Sequence, residues 1–491
     1  MKPITRREAL LLGGLGAASI IGGTAGLLGS GGIPDLSVPR RGGGGAFAQP
    51  PVQASSGGVL NMTVTAAPAM AQIGGRRAAM WMYDGGLPGP TWRIRPGDLV
   101  RVLLRNRLPQ PTNLHVHGLH VSPEGNSDNM FVTIQPGSSF QYEYRLPADH
   151  PPGVYWYHPH HHGMVAHQVF AGLYGAIIVE DPKPIPVARE RVLVLSDITL
   201  DAAGQPAAAT AMERMIGREG DTVLVNGQLA PRMVVRPGER ERWRIVNACT
   251  ARYLRLRLDG QQLQLLGIDS GRSAHPAEVS EVVLAPGNRA DLLVTATTGT
   301  STLRTLPVNR GGMSGMMSGA GQPNQQAVTL GTFIVAGATV AGLPALPPHP
   351  KPRDLSTATI AARRQLTFAM GMGGTAGGMR GGMGGMGGMS FTIDGRPFDP
   401  ARIDTNVTAG TVEEWILTNT SPMDHPIHLH VWPMQVMDGS AQPVWRDVVN
   451  VPARSSVRVR IPFEDFSGRT VYHCHILDHE DAGMMAIVSA A

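Results

Sequence analysis

His473, Cys474 and His475, followed by His479 and then Met484, place thiol, imidazole and thioether donors within a dozen positions. A thiolate, an imidazole and a weakly held thioether form the donor set of a trigonal copper site that passes single electrons. In an extended strand, consecutive side chains face opposite ways. His473 and His475 would therefore point away from Cys474 and could hold a second metal centre on the far face. A lone His or Met is more often a packed core residue, but the whole pattern is hard to reach by chance.

A second centre needs further imidazoles, and the chain has them. They lie in His115-Val116-His117-Gly118, Trp156-Tyr157-His158-Pro159-His160 and His425-Pro426-Ile427-His428-Leu429-His430. In each His-x-His pair, residues i and i+2 share one face of a strand, so two rings can converge on one metal cluster. Ten of the 17 histidines fall in these four motifs. His120, His150, His161, His162, His167, His275 and His349 show no partner pattern and read as surface or ordinary polar residues. His161 and His162 merely extend a run.

The elements that must position these motifs are short strands. Gly 62 and Pro 40 in 491 residues favour strands and turns over helices. Three blocks each carry a turn followed by an alternating strand that ends in Asn. They begin at Ile94-Arg95-Pro96-Gly97, Val235-Arg236-Pro237-Gly238 and Val407-Thr408-Ala409-Gly410. This recurrence is an internal repeat. It predicts an all-β chain of three Greek-key β-sandwiches, at about 58–183, 184–345 and 346–491, with a Pro-rich linker from Leu343 to Pro352.

The four motifs, in this order and at opposite ends of the chain, resemble those of the multicopper oxidase family, which includes laccases, bilirubin oxidases and bacterial cuprous oxidases. The resemblance spans essentially the whole mature chain, with no ligand position substituted. It implies cupredoxin-like domains and four copper ions. By motif position it gives His425, Cys474, His479 and axial Met484 to a type 1 copper, and His115 and His428 to a type 2 copper. His117, His158, His160, His430, His473 and His475 fall to a type 3 pair. On this basis the type 1 site lies in the third block, and the trinuclear cluster at the interface of the first and third. The middle block, without ligands, reads as a spacer.

The resemblance implies one-electron oxidation of a substrate at the type 1 copper, transfer through Cys474, and four-electron reduction of O2 to water. Glu480 matches an acidic position that the family uses for proton delivery. The family also has an Asp after the first His-x-His-Gly motif; the nearest here is Asp128, in a loop (Ser122–Asn129) that departs from the commoner spacing. Asp447 either orients a ligand histidine as an acceptor or is a turn or strand-end residue.

The substrate reading rests on methionine. Of 24, nine lie in two Met/Gly-rich stretches: Met313, Met316 and Met317, then Met370, Met372, Met379, Met383, Met386 and Met389 within 370–389. So much glycine cannot pack a core, and thioether sulfur suits Cu(I). Bacterial cuprous oxidases carry a Met-rich insertion in the same region. Met423 also matches a methionine of their substrate site, whereas Ser421 stands where that site has an acid, with Asp424 close by. Cu(I) is the expected reductant, and laccase-type oxidation of phenols or aromatic amines is the alternative. A copper-binding or scaffold protein with little turnover is a third, weaker reading, because all four motifs are intact.

Thr5-Arg6-Arg7-Glu8, an apolar glycine-rich run from Ala9 to Gly29, and Ala46-Phe47-Ala48 read as a twin-arginine export signal over 1–48. A membrane anchor is the competing reading of that run. Export predicts a periplasmic or extracellular protein, unanchored when mature and expected to be a monomer. The first 48 residues hold five of 42 basic and two of 37 acidic groups, leaving 37 and 35. A charge so near balance, without a basic aromatic cluster, gives no nucleic-acid surface. Cys249 and Cys474 are the only cysteines. If Cys474 binds copper no intramolecular disulfide is possible, and Cys249 reads as a small buried hydrophobe.

Overall fold

Alternation becomes structure most plainly in strand Leu99–Asn106, where Val100, Val102, Leu104 and Asn106 are buried while Arg101 and Arg105 face water. The computed structural model describes residues 44–312, 326–372, 389–440 and 442–491. The export-signal reading falls almost wholly outside these residues, as do Met313, Met316, Met317, Met379, Met383 and Met386.

Six sheets fall into three consecutive pairs. Strands between Val52 and Val179 make a five-stranded and a four-stranded sheet. Those between Arg189 and Val335 make a six- and a five-stranded sheet, as do those between Ile360 and Ala490. Each pair encloses its own apolar core, centred on Trp92 and Tyr142, on Trp243 and Phe333, and on Trp415 and Tyr472. The chain is thus built from three cupredoxin-like β-sandwiches. Among the described residues, no helix is long and apolar enough to cross a membrane.

One device repeats in all three. Strands Thr91–Ile94, Arg232–Val235 and Thr405–Val407 end in a turn whose glycine (Gly97, Gly238 or Gly410) has φ of 84°, 84° or 80°. A side chain there would be strained. The turn carries the chain to the other sheet, where strands Leu99–Asn106, Arg240–Asn247 and Thr411–Asn419 end in a buried Asn. The Asn oxygen accepts from the backbone N–H two residues on, in Leu108, Cys249 and Ser421. Its amide donates to one carbonyl of the loop that returns to the first sheet, in Gln110, Arg252 or Met423, and to a second, more distant one, in Ile134, Leu284 or Val451. The returning strands are His115–His117, Leu254–Leu258 and His425–Leu429. A single lock sets all three, and only the outer two carry imidazoles.

The ends of the 370–389 stretch are more regular than their composition suggests. Strand Ile360–Met372 pairs antiparallel with Met389–Ile393, with Met372 opposite Met389, and Met370 packs on the third core. Cys249 is buried in the middle core.

Candidate metal centres

The two outer sandwiches face each other through their histidine strands. His115 pairs with His158 across one ladder, and His428 with His473 across the other. Period-two alternation then turns His115 and His117, and His428 and His430, toward a common space. There the rings stack between sandwiches: His115 on His430 and His117 on His428, each pair with centroids 3.8 Å apart.

Ligand atoms of His115, His117 and His158 lie within 4.8 Å of one another, as do those of His115, His428 and His430, and of His160, His430 and His473. His473 Nε2 is 3.0 Å from His160 Nε2 and 3.2 Å from His430 Nε2. His475 joins the group, its ring 4.9 Å from that of His117. His115 Nε2, His117 Nδ1, His158 Nε2, His428 Nε2, His430 Nδ1 and both nitrogens of His475 are buried without a hydrogen-bond partner. Buried polar atoms are nearly always paired. So many unpartnered imidazole nitrogens gathered in one cluster fit metal cations, and the donor set suits copper.

Three carboxylates support this centre. Both oxygens of Asp128 lie 3.0 Å from His115 Nδ1, and one also accepts from the Val116 N–H. Burial pushes Asp128 up to about 8. Asp447 Oδ1 is 3.2 Å from His117 Nε2, and its backbone oxygen is 2.8 Å from His428 Nδ1. Glu480 is fully buried, with Oε1 3.4 Å from His160 Nε2 and Oε2 3.1 Å from His473 Nδ1. A cavity of about 500 Å³ lined by Met130, Phe131 and His162 reaches His160.

The second centre lies within the third core. His425, Cys474 and His479 present ligand atoms within 4.8 Å of one another. Cys474 Sγ is 3.3 Å from His425 Nδ1 and 3.8 Å from His479 Nδ1, and it accepts from the Ile476 N–H at 3.4 Å. Met484 is fully buried in the same cluster, and its carbonyl accepts from the Cys474 N–H. Burial pushes the thiol well up, so ionising it in place calls for a cation.

Both outer ring nitrogens of this centre are engaged. Ser421 Oγ is 2.7 Å from His425 Nε2, and the Met215 carbonyl of the middle sandwich is 3.1 Å from His479 Nε2. Phe391 stacks on His479 at 4.4 Å. The Met215 contact had no local sequence signal, since its partner is 264 residues away. Asp424 is occupied elsewhere, accepting from Asn450 Nδ2 and the Ala453 N–H. Of the histidines outside the motifs, His150 is buried and accepts from the His120 N–H.

Burial holds the His158 and His425 rings down to about 3, from an ordinary 6.5. Between these values the unfolded chain takes up protons that the native rings refuse, so copper-free protein is expected to lose stability as pH falls through this window. Each group contributes at most about 1.4 kcal/mol per pH unit. Burial also raises Asp128 to about 8, Asp447 to about 6, and Asp481 and Glu219, which act in the opposite sense. The buried rings held down outnumber them, with His115, His117, His150, His160, His428, His430, His475 and His479 lowered as well. Urea unfolding of copper-stripped protein at neutral pH and in mild acid tests this; equal or greater stability in acid would refute it.

Three cupredoxin-like sandwiches with a cysteine-containing and an all-histidine centre define a copper redox protein. Residues 64–184, 189–305 and 374–491 each match a family described as Multicopper oxidase. The chain is 27% identical over 419 residues to the multicopper oxidase mco of Staphylococcus haemolyticus, covering 82% of each. It is 27% identical over 477 residues to a laccase of Bacillus subtilis, covering 83% of this chain and 89% of that one. Among solved structures it resembles a multicopper oxidase from Campylobacter jejuni described as a metallo-oxidase. That match has a TM-score of 0.79 and 30% identity, covering 92% of this chain and 96% of the other. The chain belongs to the multicopper oxidase family and is a copper oxidoreductase that couples oxidation of a reductant to dioxygen.

Proposed function

We propose that the chain is a four-copper oxidase whose reductant is Cu(I). In this reading His425, Cys474, His479 and Met484 hold a type 1 copper, and His115 and His428 a type 2 copper. His117, His158, His160, His430, His473 and His475 hold a type 3 pair. The observation that carries the substrate choice is the engagement of His425 Nε2 by Ser421 and of His479 Nε2 by Met215. A phenol finds no free imidazole N–H there to contact. A cuprous ion needs only to approach and give up one electron, and thioethers suit it. Support comes from Met423, buried two residues before His425, and from Phe391, which stacks on His479 next to the Met/Gly-rich stretch. Laccase-type oxidation of phenols or aromatic amines is the second reading, favoured by the Bacillus subtilis relative.

When bound, the copper ions supply one-electron steps and the site of oxygen reduction. The chain supplies the rest. The third core keeps water from Cys474, and two peptide bonds join Cys474 to His473 and His475. Asp128 and Asp447 orient His115, His117 and His428 so that their free nitrogens face the centre. Glu480 places its two carboxyl oxygens beside His160 and His473, where it would pass protons to the oxygen site. Four electrons and four protons turn one O2 into two waters. The sandwiches are read as domains at 58–183, 184–345 and 346–491 of an exported monomer.

Oxygen uptake of the copper-loaded protein with Cu(I) and with a phenol, side by side, tests the substrate. The same comparison is made after residues 373–388 are replaced by a short turn between the paired Met372 and Met389. Cu(I) is expected to be the faster substrate, and the replacement to slow Cu(I) more than phenol. An unchanged ratio, or a faster phenol, would overturn the Cu(I) reading.

A further inference from the structure

We propose that Arg289, from the sandwich that carries none of the four motifs, is a positioning residue of the all-histidine centre. The inference rests on the copper reading above. Arg289 is fully buried and opens strand Arg289–Thr295. The turn before it presses on the centre. Gly287 has φ of 84°, and a Cβ added there would meet the His475 ring at 2.8 Å. A Cβ on Gly118, next to His117, would meet Arg289 NH2 at 2.4 Å. Both positions need glycine because the middle sandwich is wedged against the histidines.

The guanidinium joins all three sandwiches. Nε donates to the Val154 carbonyl of the first at 3.0 Å. NH1 donates to Asp269 Oδ1 at 3.1 Å and to the Gly287 carbonyl at 3.2 Å, both in its own sandwich. NH1 and NH2 grip Asp447 Oδ1 and Oδ2 of the third, each at 2.5 Å. Asp447 passes this geometry on, with Oδ1 3.2 Å from His117 Nε2 and 3.7 Å from His428 Nδ1. A single carboxylate, held in a two-pronged grip, thus reaches one imidazole from each outer sandwich.

The physical consequence concerns tautomers. An Arg fork holds a carboxylate as an ionised acceptor in a fixed plane. Held so, Asp447 can only accept, so His117 must carry its proton on Nε2. That leaves Nδ1, which has no partner, as the lone pair offered to a metal. Without Arg289, the Asp447 carboxylate loses the two donors that fix its plane, and His117 loses the oriented acceptor that keeps Nδ1 toward the centre. A buried ion pair is weak evidence for stability by itself. Its contact with ligand candidates points to a role in the centre.

The test uses the full copper-loaded chain. Copper per chain and the type 2 electron paramagnetic resonance signal report on the histidine centre; blue absorption of the Cys474 site is an internal control of folding. Arg289→Met is expected to weaken copper binding at the histidine centre by about 10–100-fold while the blue band persists. Arg289→Lys, which keeps the charge but loses the fork, is expected to restore it in part. Full copper occupancy with an unchanged type 2 signal in Arg289→Met would overturn the proposal, as would loss of both centres together in Arg289→Met and Arg289→Lys. If Arg289→Met does not fold, Asp447→Asn carries the test; unchanged copper affinity and type 2 signal there also overturn it. A parent protein without copper at the histidine centre would instead refute the four-copper reading.

Discussion

Replacing Cys474 with Ser is expected to remove the blue colour and reduce oxygen uptake to background, while copper remains at the all-histidine centre. The sulfur is the only thiolate available to the second centre. Cys249 lies in the middle core, with its thiol 3.9 Å from the Leu195 carbonyl, and cannot replace it. A serine hydroxyl of similar size is a hard, protonated donor that neither binds a soft metal in this way nor gives its intense charge-transfer colour. The backbone should be undisturbed, because Cys474 and His473 stay paired with Ile427 and His428 in the ladder. Copper content is therefore expected to fall by one ion per chain, with the type 2 signal retained. A variant that stayed blue, or kept oxygen uptake with the same reductant, would sink the assignment of Cys474.

What was legible in the sequence was rare chemistry at strand spacing. His115 and His117, or His473 and His475, betray a shared strand face because the period of two is local. The repeated turn and terminal Asn were equally visible, and Asn106, Asn247 and Asn419 make the same bonds in each sandwich. Spacing was a poorer guide at Asp128: its loop departs from the family pattern, yet the carboxylate lies on His115. Composition misled at Met370, Met372 and Met389, where Met-Gly text reads as irregular but backbone pairing holds it in strands. Least legible was the middle sandwich. It supplies no motif, yet Met215 reaches His479 and Arg289 reaches Asp447 across 264 and 158 residues. A contact that exists only after three domains dock leaves no periodic trace in the chain.

Glu480→Gln is expected to lower turnover by about 10²–10⁴-fold, the usual contribution of a positioned acid or base, with copper content and blue colour unchanged. The residue sits on helix Leu477–Asp481, directly after the strand that carries His473 and Cys474, and is fully buried. Its two oxygens lie beside His160 and His473, and neither makes a hydrogen bond. A buried carboxyl without such bonds is costly to keep, so a purely structural reason for it is weak. Oxygen reduction supplies a chemical one, because each O2 consumes four protons and nearby His160 borders the cavity that reaches this face. Gln keeps the shape and hydrogen-bonding reach but cannot release a proton and reload, which separates proton supply from packing. Reduction of the blue site by the electron donor should therefore proceed at the parent rate, and reoxidation by O2 should slow and show a larger solvent deuterium isotope effect. Slowed blue-site reduction with normal reoxidation would place the defect in electron uptake instead and refute the proton role of Glu480. Parent turnover in the variant would do so equally.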